Sequence, residues 1–190
     1  MFSLSTQHSA LSTLLYRWLL WGMGLSLTGI VCACSPAPQV QGPVALNSRY
    51  TDEQPALSGD GRFIAFVSNR EGDRQIVMYD LQQRRFVELP RLNQGEAIAE
   101  SPSLSVTGRY IAYISSERGR PEVELYDRAT QRSEVLTSNY SGWVRNPTLS
   151  PDGRYIAFET SRRGQWDIEV VDRGSNIELD IPDGSTFSRP

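Results

Sequence analysis

The feature that most constrains this chain is a segment that occurs three times with the same punctuation. The copies read Gly61-Arg62-Phe63-Ile64-Ala65-Phe66, Gly108-Arg109-Tyr110-Ile111-Ala112-Tyr113 and Gly153-Arg154-Tyr155-Ile156-Ala157-Phe158. Aligned without gaps, each has a second glycine eleven residues after the first (Gly72, Gly119, Gly164) and an aspartate nineteen after it (Asp80, Asp127, Asp172). The copies lie 47 and 45 residues apart. A unit of this length buries its faces only by stacking on copies of itself.

That period lies in the range of four-stranded propeller blades, and the strands can be read within each copy. A short strand enters at Pro55-Ala56-Leu57-Ser58, Pro102-Ser103-Leu104-Ser105 and Pro147-Thr148-Leu149-Ser150. The turn that follows contains Gly61, Gly108 or Gly153, where glycine supplies the positive backbone angle and aspartate or proline starts the bend. The second strand, Arg62 to Ser68 and its equivalents, is apolar at nearly every position, as expected when both faces are covered. Glu159 breaks this run where the other copies have Val67 and Ile114, so one face of the last blade is expected to meet water or a polar partner.

The third strand covers Gln75 to Tyr79, Glu122 to Tyr126 and Asp167 to Val171, and ends at the recurrent aspartate. Three carboxylates in register could converge on an axis, but aspartate at a strand end more simply caps the next turn by accepting backbone N–H bonds. Asp80, Asp127 and Asp172 are therefore read as structural turn residues, alongside Gly61, Gly108 and Gly153. A fourth strand, around Arg85 to Leu89, Ser133 to Leu136 and Ile177 to Ile181, completes each copy. The expected fold is all-β: three four-stranded antiparallel blades, an incomplete propeller, preceded by an N-terminal signal or anchor helix. The blades occupy residues 50–190, with repeats at about 55–101, 102–146 and 147–190.

The N-terminus reads differently. Met1 to Tyr16 has no charged side chain, Arg17 follows, and Trp18 to Val31 is an uncharged run ending in Val31-Cys32-Ala33-Cys34. A basic residue, a short apolar core and small residues before a cut site make a secretory signal, here residues 1–33. Val-Cys-Ala-Cys resembles the bacterial lipobox, which makes Cys34 the lipidated residue. An uncleaved anchor is the alternative, because Trp18 to Cys34 is near the lower length limit for spanning a bilayer. Either way the rest lies outside the cytoplasm on a membrane tether. Ser35 to Asn47, uncharged and rich in proline and glutamine, makes residues 34–49 a flexible linker.

Composition removes several functions. Net charge is −3, so no basic surface points to nucleic acid. All 19 basic residues are arginine, which excludes chemistry that needs a lysine amine. The only histidine is His8, and the only cysteines are Cys32 and Cys34, so the blades hold no disulfide, zinc site or thiol nucleophile. No calcium-loop spacing is present. Neither a metal nor an obligatory cofactor is expected.

The run Ser150-Pro151-Asp152-Gly153-Arg154-Tyr155-Ile156-Ala157-Phe158, with Arg162, Arg163 and Gly164, then Trp166-Asp167-Ile168 and Asp172, resembles the WD-like propeller repeat of the TolB family. Similar repeats occur in the propeller domains of prolyl oligopeptidase-type peptidases. The resemblance covers about Gln54 to Pro190. It implies a periplasmic propeller of the Tol-Pal envelope system that binds a peptidoglycan-associated lipoprotein. This chain has no room for that family's N-terminal α/β domain and carries half its blades. The peptidase resemblance brings no triad with it, since the hydrolase domain is absent.

These readings make a tethered module that binds a protein or another envelope component the leading expectation. Its location is periplasmic, and Ser35 after Cys34 resembles the lipoproteins directed to the outer membrane. The loops after the second strands carry Asn69-Arg70-Glu71, Ser116-Glu117-Arg118 and Ser161-Arg162-Arg163. Arg70, Arg118, Arg162 and Arg163 are thus the candidate partner-binding residues, since arginine suits carboxylates on a protein or wall polymer; solvated turns with local ion pairs are the alternative. A second expectation is self-association. Propellers hold about four to eight blades, so three cannot readily close a ring, whereas a homodimer supplies three plus three. An accessory subunit of an envelope hydrolase, with Asp167 among its acids, is a third. Tyr140 and Trp143, between the second and third copies, are read as loop packing rather than a binding platform.

Overall fold

The computed structural model describes residue 46 and residues 48–93 and 98–181. The signal segment, Cys34, the tether through residue 45 and the end of the third repeat from residue 182 lie outside the described residues. Among the described residues no helix is long and apolar enough to cross a membrane.

Among the described residues eleven strands form three antiparallel sheets. Blade one holds β1 (Asp52–Leu57), β2 (Phe63–Glu71), β3 (Asp73–Asp80) and β4 (Arg85–Val87). Blade two holds β5 (Ala99–Leu104), β6 (Tyr110–Ser115), β7 (Glu122–Asp127) and β8 (Arg132–Val135). Blade three holds β9 (Val144–Leu149), β10 (Tyr155–Thr160) and β11 (Asp167–Asp172). Each sheet is ordered as its strands occur in the chain.

The repeated residues set the same register in every blade. Phe63 pairs with Asp80, Tyr110 with Asp127 and Tyr155 with Asp172. Each entering strand also carries an irregularity before its proline, between Glu53 and Ala56, between Glu100 and Ser103, and opposite Ala157 and Glu159. There Gln54, Ser101 and Asn146 take φ values of 54°, 52° and 50°. A proline cannot donate to a ladder, and a bulge in an outer strand is one of the few places where it fits.

The third blade departs from the expected four strands. Ile177 to Ile181 forms no strand, and among the described residues β11 is the last strand of its sheet. In the first two blades, tight turns with Arg84 and Gln131 at positive φ fold the chain back onto β3 and β7. In blade three, Gly174 (φ 87°) follows instead and the chain leaves for blade two. The Asp180 carboxylate, buried, accepts hydrogen bonds from Thr107 N (2.8 Å) and Thr107 Oγ1, while Asp180 N donates to Asp152 O at 2.9 Å. Glu178 pairs with Arg109 at 2.8 Å, and its carbonyl accepts from the Tyr110 hydroxyl. These contacts occupy the segment that would otherwise have paired with β11.

The core lies between the sheets. Phe63, Ala65, Ile76 and Met78 of blade one meet Leu104, Ile111, Tyr113 and Tyr126 of blade two. Tyr110, Ala112, Ile114, Val123 and Leu125 then meet Val144, Leu149, Ile156 and Phe158 of blade three. All six residues of β6 are buried, which accounts for its continuous apolar sequence. The turn glycines complete the junctions. A Cβ on Gly108 would lie 2.9 Å from Met78 and 3.1 Å from the Phe63 ring, and one on Gly153 would lie 2.4 Å from the Tyr110 ring.

Candidate functional site

The repeated arginine and aspartate are partners. Arg62 donates to Asp80 through Nε (3.0 Å) and Nη2 (2.8 Å), Arg109 to Asp127 at 3.1 and 3.2 Å, and Arg154 to Asp172 at 2.8 and 2.9 Å. The same carboxylates accept turn N–H groups: Gln82 and Gln83 on Asp80, Ala129 on Asp127 and Gly174 on Asp172. Each guanidinium also lies over the next ring, at 4.8 Å from Phe63 and 5.0 Å from Tyr110 and Tyr155.

The charges follow from these contacts. Hydrogen bonds from Arg154 and Gly174 hold the Asp172 carboxyl at about 2. Burial pushes Asp127 up, but the Arg109 guanidinium and the Ala129 N–H outweigh it and leave the carboxyl below its ordinary value. Asp80 behaves alike, with burial opposed by Arg62, Gln83 and Gln82. Glu178 and Asp127 together raise Arg109 further. All three aspartates are ionised and saturated with donors, an arrangement suited to locking a turn rather than to moving protons.

Arg118, Arg162 and Arg163 sit in the loops after β6 and β10, whereas Arg70, expected in the equivalent loop, lies in the end of β2, which runs on to Glu71; each of the four has an acidic neighbour. Arg70 pairs with Asp52 at 3.0 Å and lies over Phe66 and Phe86. Arg162 pairs with Glu169 at 2.9 Å over the Tyr140 ring. Arg118 and Arg163 are the open pair, with side chains 54% and 66% exposed and partners Glu122 at 3.3 Å and Asp167 at 3.0 Å. The structure therefore separates them: Arg70 and Arg162 lie against aromatic rings, while Arg118 and Arg163 face outward.

Two polar features were not read from the sequence. Between blades one and two a depression of about 310 Å³ contains the Tyr113 hydroxyl, which donates to Glu124 Oε2 at 2.7 Å and lies 3.0 Å from Ser133 Oγ. Burial and the Glu124 carboxylate push the Tyr113 phenol well above its ordinary value, so it remains a donor. The second feature is a shallow hollow lined by Gln54, Ser101 and Asn146 with their prolines, where Gln54 Oε1 accepts from Ser101 N at 2.7 Å. The three prolines were the only signal for it, since a residue before proline favours extended backbone and these three depart from that. Tyr140 packs edge-on against Phe158 at 5.6 Å, whereas Trp143 is exposed. No group of acidic, histidine or cysteine side chains able to hold a metal ion occurs among the described residues.

Solved structures share the fold of the described residues. TolB from Acinetobacter baumannii matches with a TM-score of 0.59 and 26% identity, over 70% of this chain and 32% of that one. The described residues form part of a TolB-like β-propeller. The protein assigned as TolB in Agrobacterium tumefaciens matches at 0.54 and 24% identity, over 67% of this chain and 46% of that one. The chain thus spans less than half the length of either TolB. A puromycin hydrolase shares the propeller fold alone, with a TM-score of 0.50 and 13% identity over 65% of this chain and 19% of the hydrolase. No family model and no curated protein matches the sequence.

Proposed function

We propose that this chain is a membrane-tethered, extracytoplasmic propeller module that binds a protein or another cell-envelope component and performs no catalysis. The reading places it in the periplasm, anchored to the outer membrane through lipid on Cys34, in envelope maintenance or transport of the Tol-Pal kind. One observation carries it: equivalent loops bring outward-facing arginines to one end of the blades, with Arg118 and Arg163 each held by a single carboxylate on the following strand. A carboxylate on a partner competes readily for such a guanidinium, because an exposed pair contributes only about 0–1 kcal/mol. Binding without turnover is supported by the saturation of the repeated aspartates and by the absence of lysine and of any histidine beyond His8.

The test is crosslinking in whole cells with the full chain, comparing wild type with the Arg118→Gln/Arg163→Gln variant. Both positions are exposed, so the variant should fold normally. Loss of most crosslinked partner is expected; equal capture by the variant would exclude this surface.

A further inference from the structure

We propose that a second copy of this chain docks head to tail on the first, the open face of blade three against the open face of blade one. The two junctions inside the chain show what such a contact needs, and each half of it is present once more on the open faces.

At both internal junctions an aromatic ring of one blade covers the turn glycine of the next, Phe63 over Gly108 and Tyr110 over Gly153. Tyr155 is the third ring in this series and Gly61 the third glycine. Tyr155 is 40% exposed where Tyr110 is 2% exposed, and a Cβ on Gly61 would meet nothing within 4 Å. The apolar residues follow the same rule. Val123 and Leu125, at 0% and 2% exposure, are covered by blade three, while their equivalents Ile168 and Val170 are 67% and 60% exposed. On the opposite side Leu104 and Leu149 are 7% exposed and their equivalent Leu57 is 59% exposed. The unmatched glycine and leucine belong to blade one and the unmatched ring and strand to blade three, so the faces are counterparts rather than merely apolar.

Charge agrees. Inside the chain Ile114 shares a cluster with Val144. On the open faces the positions equivalent to those two are Glu159 and Asp52, and Asp52 is bound to Arg70. Both halves of the junction have turned polar together, and each carboxylate is already paired within the single chain, Glu159 with Arg145 at 2.6 Å and Asp52 with Arg70 at 3.0 Å, so they enter the contact as ion pairs rather than as bare like charges. A contact between two different faces generates a ring or an open filament. The described residues of two copies supply six blades, within the roughly four to eight that close a ring, whereas those of three copies supply nine.

This proposal goes beyond the partner-binding reading and does not depend on it, because Arg118 and Arg163 take no part. The experiment is sedimentation equilibrium of the full chain at micromolar concentration in a density-matched detergent. Wild type should show twice the mass of one chain. Gly61→Asn fills the space reserved for Tyr155 with a residue that tolerates positive φ, and Val170→Glu charges the opposite face; each alone should sediment as single chains. Circular dichroism should find both folded, since each site is open in the single chain. An equimolar mixture should recover pairs, because one junction then keeps both natural halves. Single chains in the wild type, filaments larger than a pair, full pairing by either variant alone, or a mixture no more associated than its components would each overturn the proposal.

Discussion

Blade two and blade three share a motif, a register and an arginine–aspartate lock, yet they end in different states. In blade two every residue of β6 is buried between neighbours, and β8 closes the sheet. In blade three, β10 alternates between buried and less buried positions, β11 has no partner on its far side among the described residues, and Ile168 and Val170 face outward. The same pattern therefore specifies a strand without specifying what covers it. Burial belongs to the junction between two blades.

The largest expected contrast is between the equivalent rings. Tyr110→Ala removes a buried side chain from the second junction and should cost about 3–5 kcal/mol, whereas Tyr155→Ala should cost less than about 1 kcal/mol. Urea unfolding, in samples dilute enough to keep single copies, measures both; equal losses would break the distinction between covered and open blades. The glycines come next. Gly153→Ala combines positive φ with a clash against the Tyr110 ring and should cost about 2–5 kcal/mol, while Gly61→Ala carries only the backbone cost of about 1–2 kcal/mol. The same unfolding measurement decides whether space or backbone angle dominates.

Asp180 sharpens the comparison at the end of blade three. Asp180→Ala leaves the Thr107 N–H without its acceptor and should destabilise by about 1–3 kcal/mol. A negligible effect in thermal unfolding would mean that the returning segment contributes little to blade two. The smallest effect is a pH dependence. Asp172 is held at about 2, below its ordinary 3.8. A depressed folded-state value adds stability that is fully present above about pH 4 and is lost as pH falls through about 2. Urea midpoints at pH 5 and pH 3 should therefore fall less in Asp172→Asn than in wild type. An identical fall in both would remove the Arg154 pair as a source of acid sensitivity.

Much of the fold was legible because it rests on local chemistry. Glycine at the turns, proline at the entering strands and apolar runs between them located all eleven observed strands, eleven of the twelve expected, with β8 displaced by one residue, β4 shorter than expected and β1, β5 and β9 each beginning three residues before its proline. The failed strand at Ile177 to Ile181 has the composition of one, and nothing within the segment reveals Thr107 and Asp152 as its partners. The arginine of the Gly-Arg pair was visible but its role was not, since Arg62 and Asp80 are 18 residues apart and meet only once β2 and β3 pair. At the candidate site the sequence placed Arg70, Arg118, Arg162 and Arg163 in equivalent loops. Arg70 and Arg162 lie nine residues after their turn glycine and Arg118 and Arg163 ten, and side-chain packing shows what that one-residue difference means: the first two lie on aromatic rings and the other two face outward.

By itself, then, the sequence determined the blade: its period, its turns, its strands and the resemblance to TolB-like propellers, all of which depend on residues close together in the chain. Tertiary structure decided how the blades are used. It put a ring over each internal glycine, drew Glu178 and Asp180 away from β11, and left Tyr155 and Gly61 without counterparts, because these contacts join residues tens of positions apart whose meeting depends on how one sheet stacks on the next.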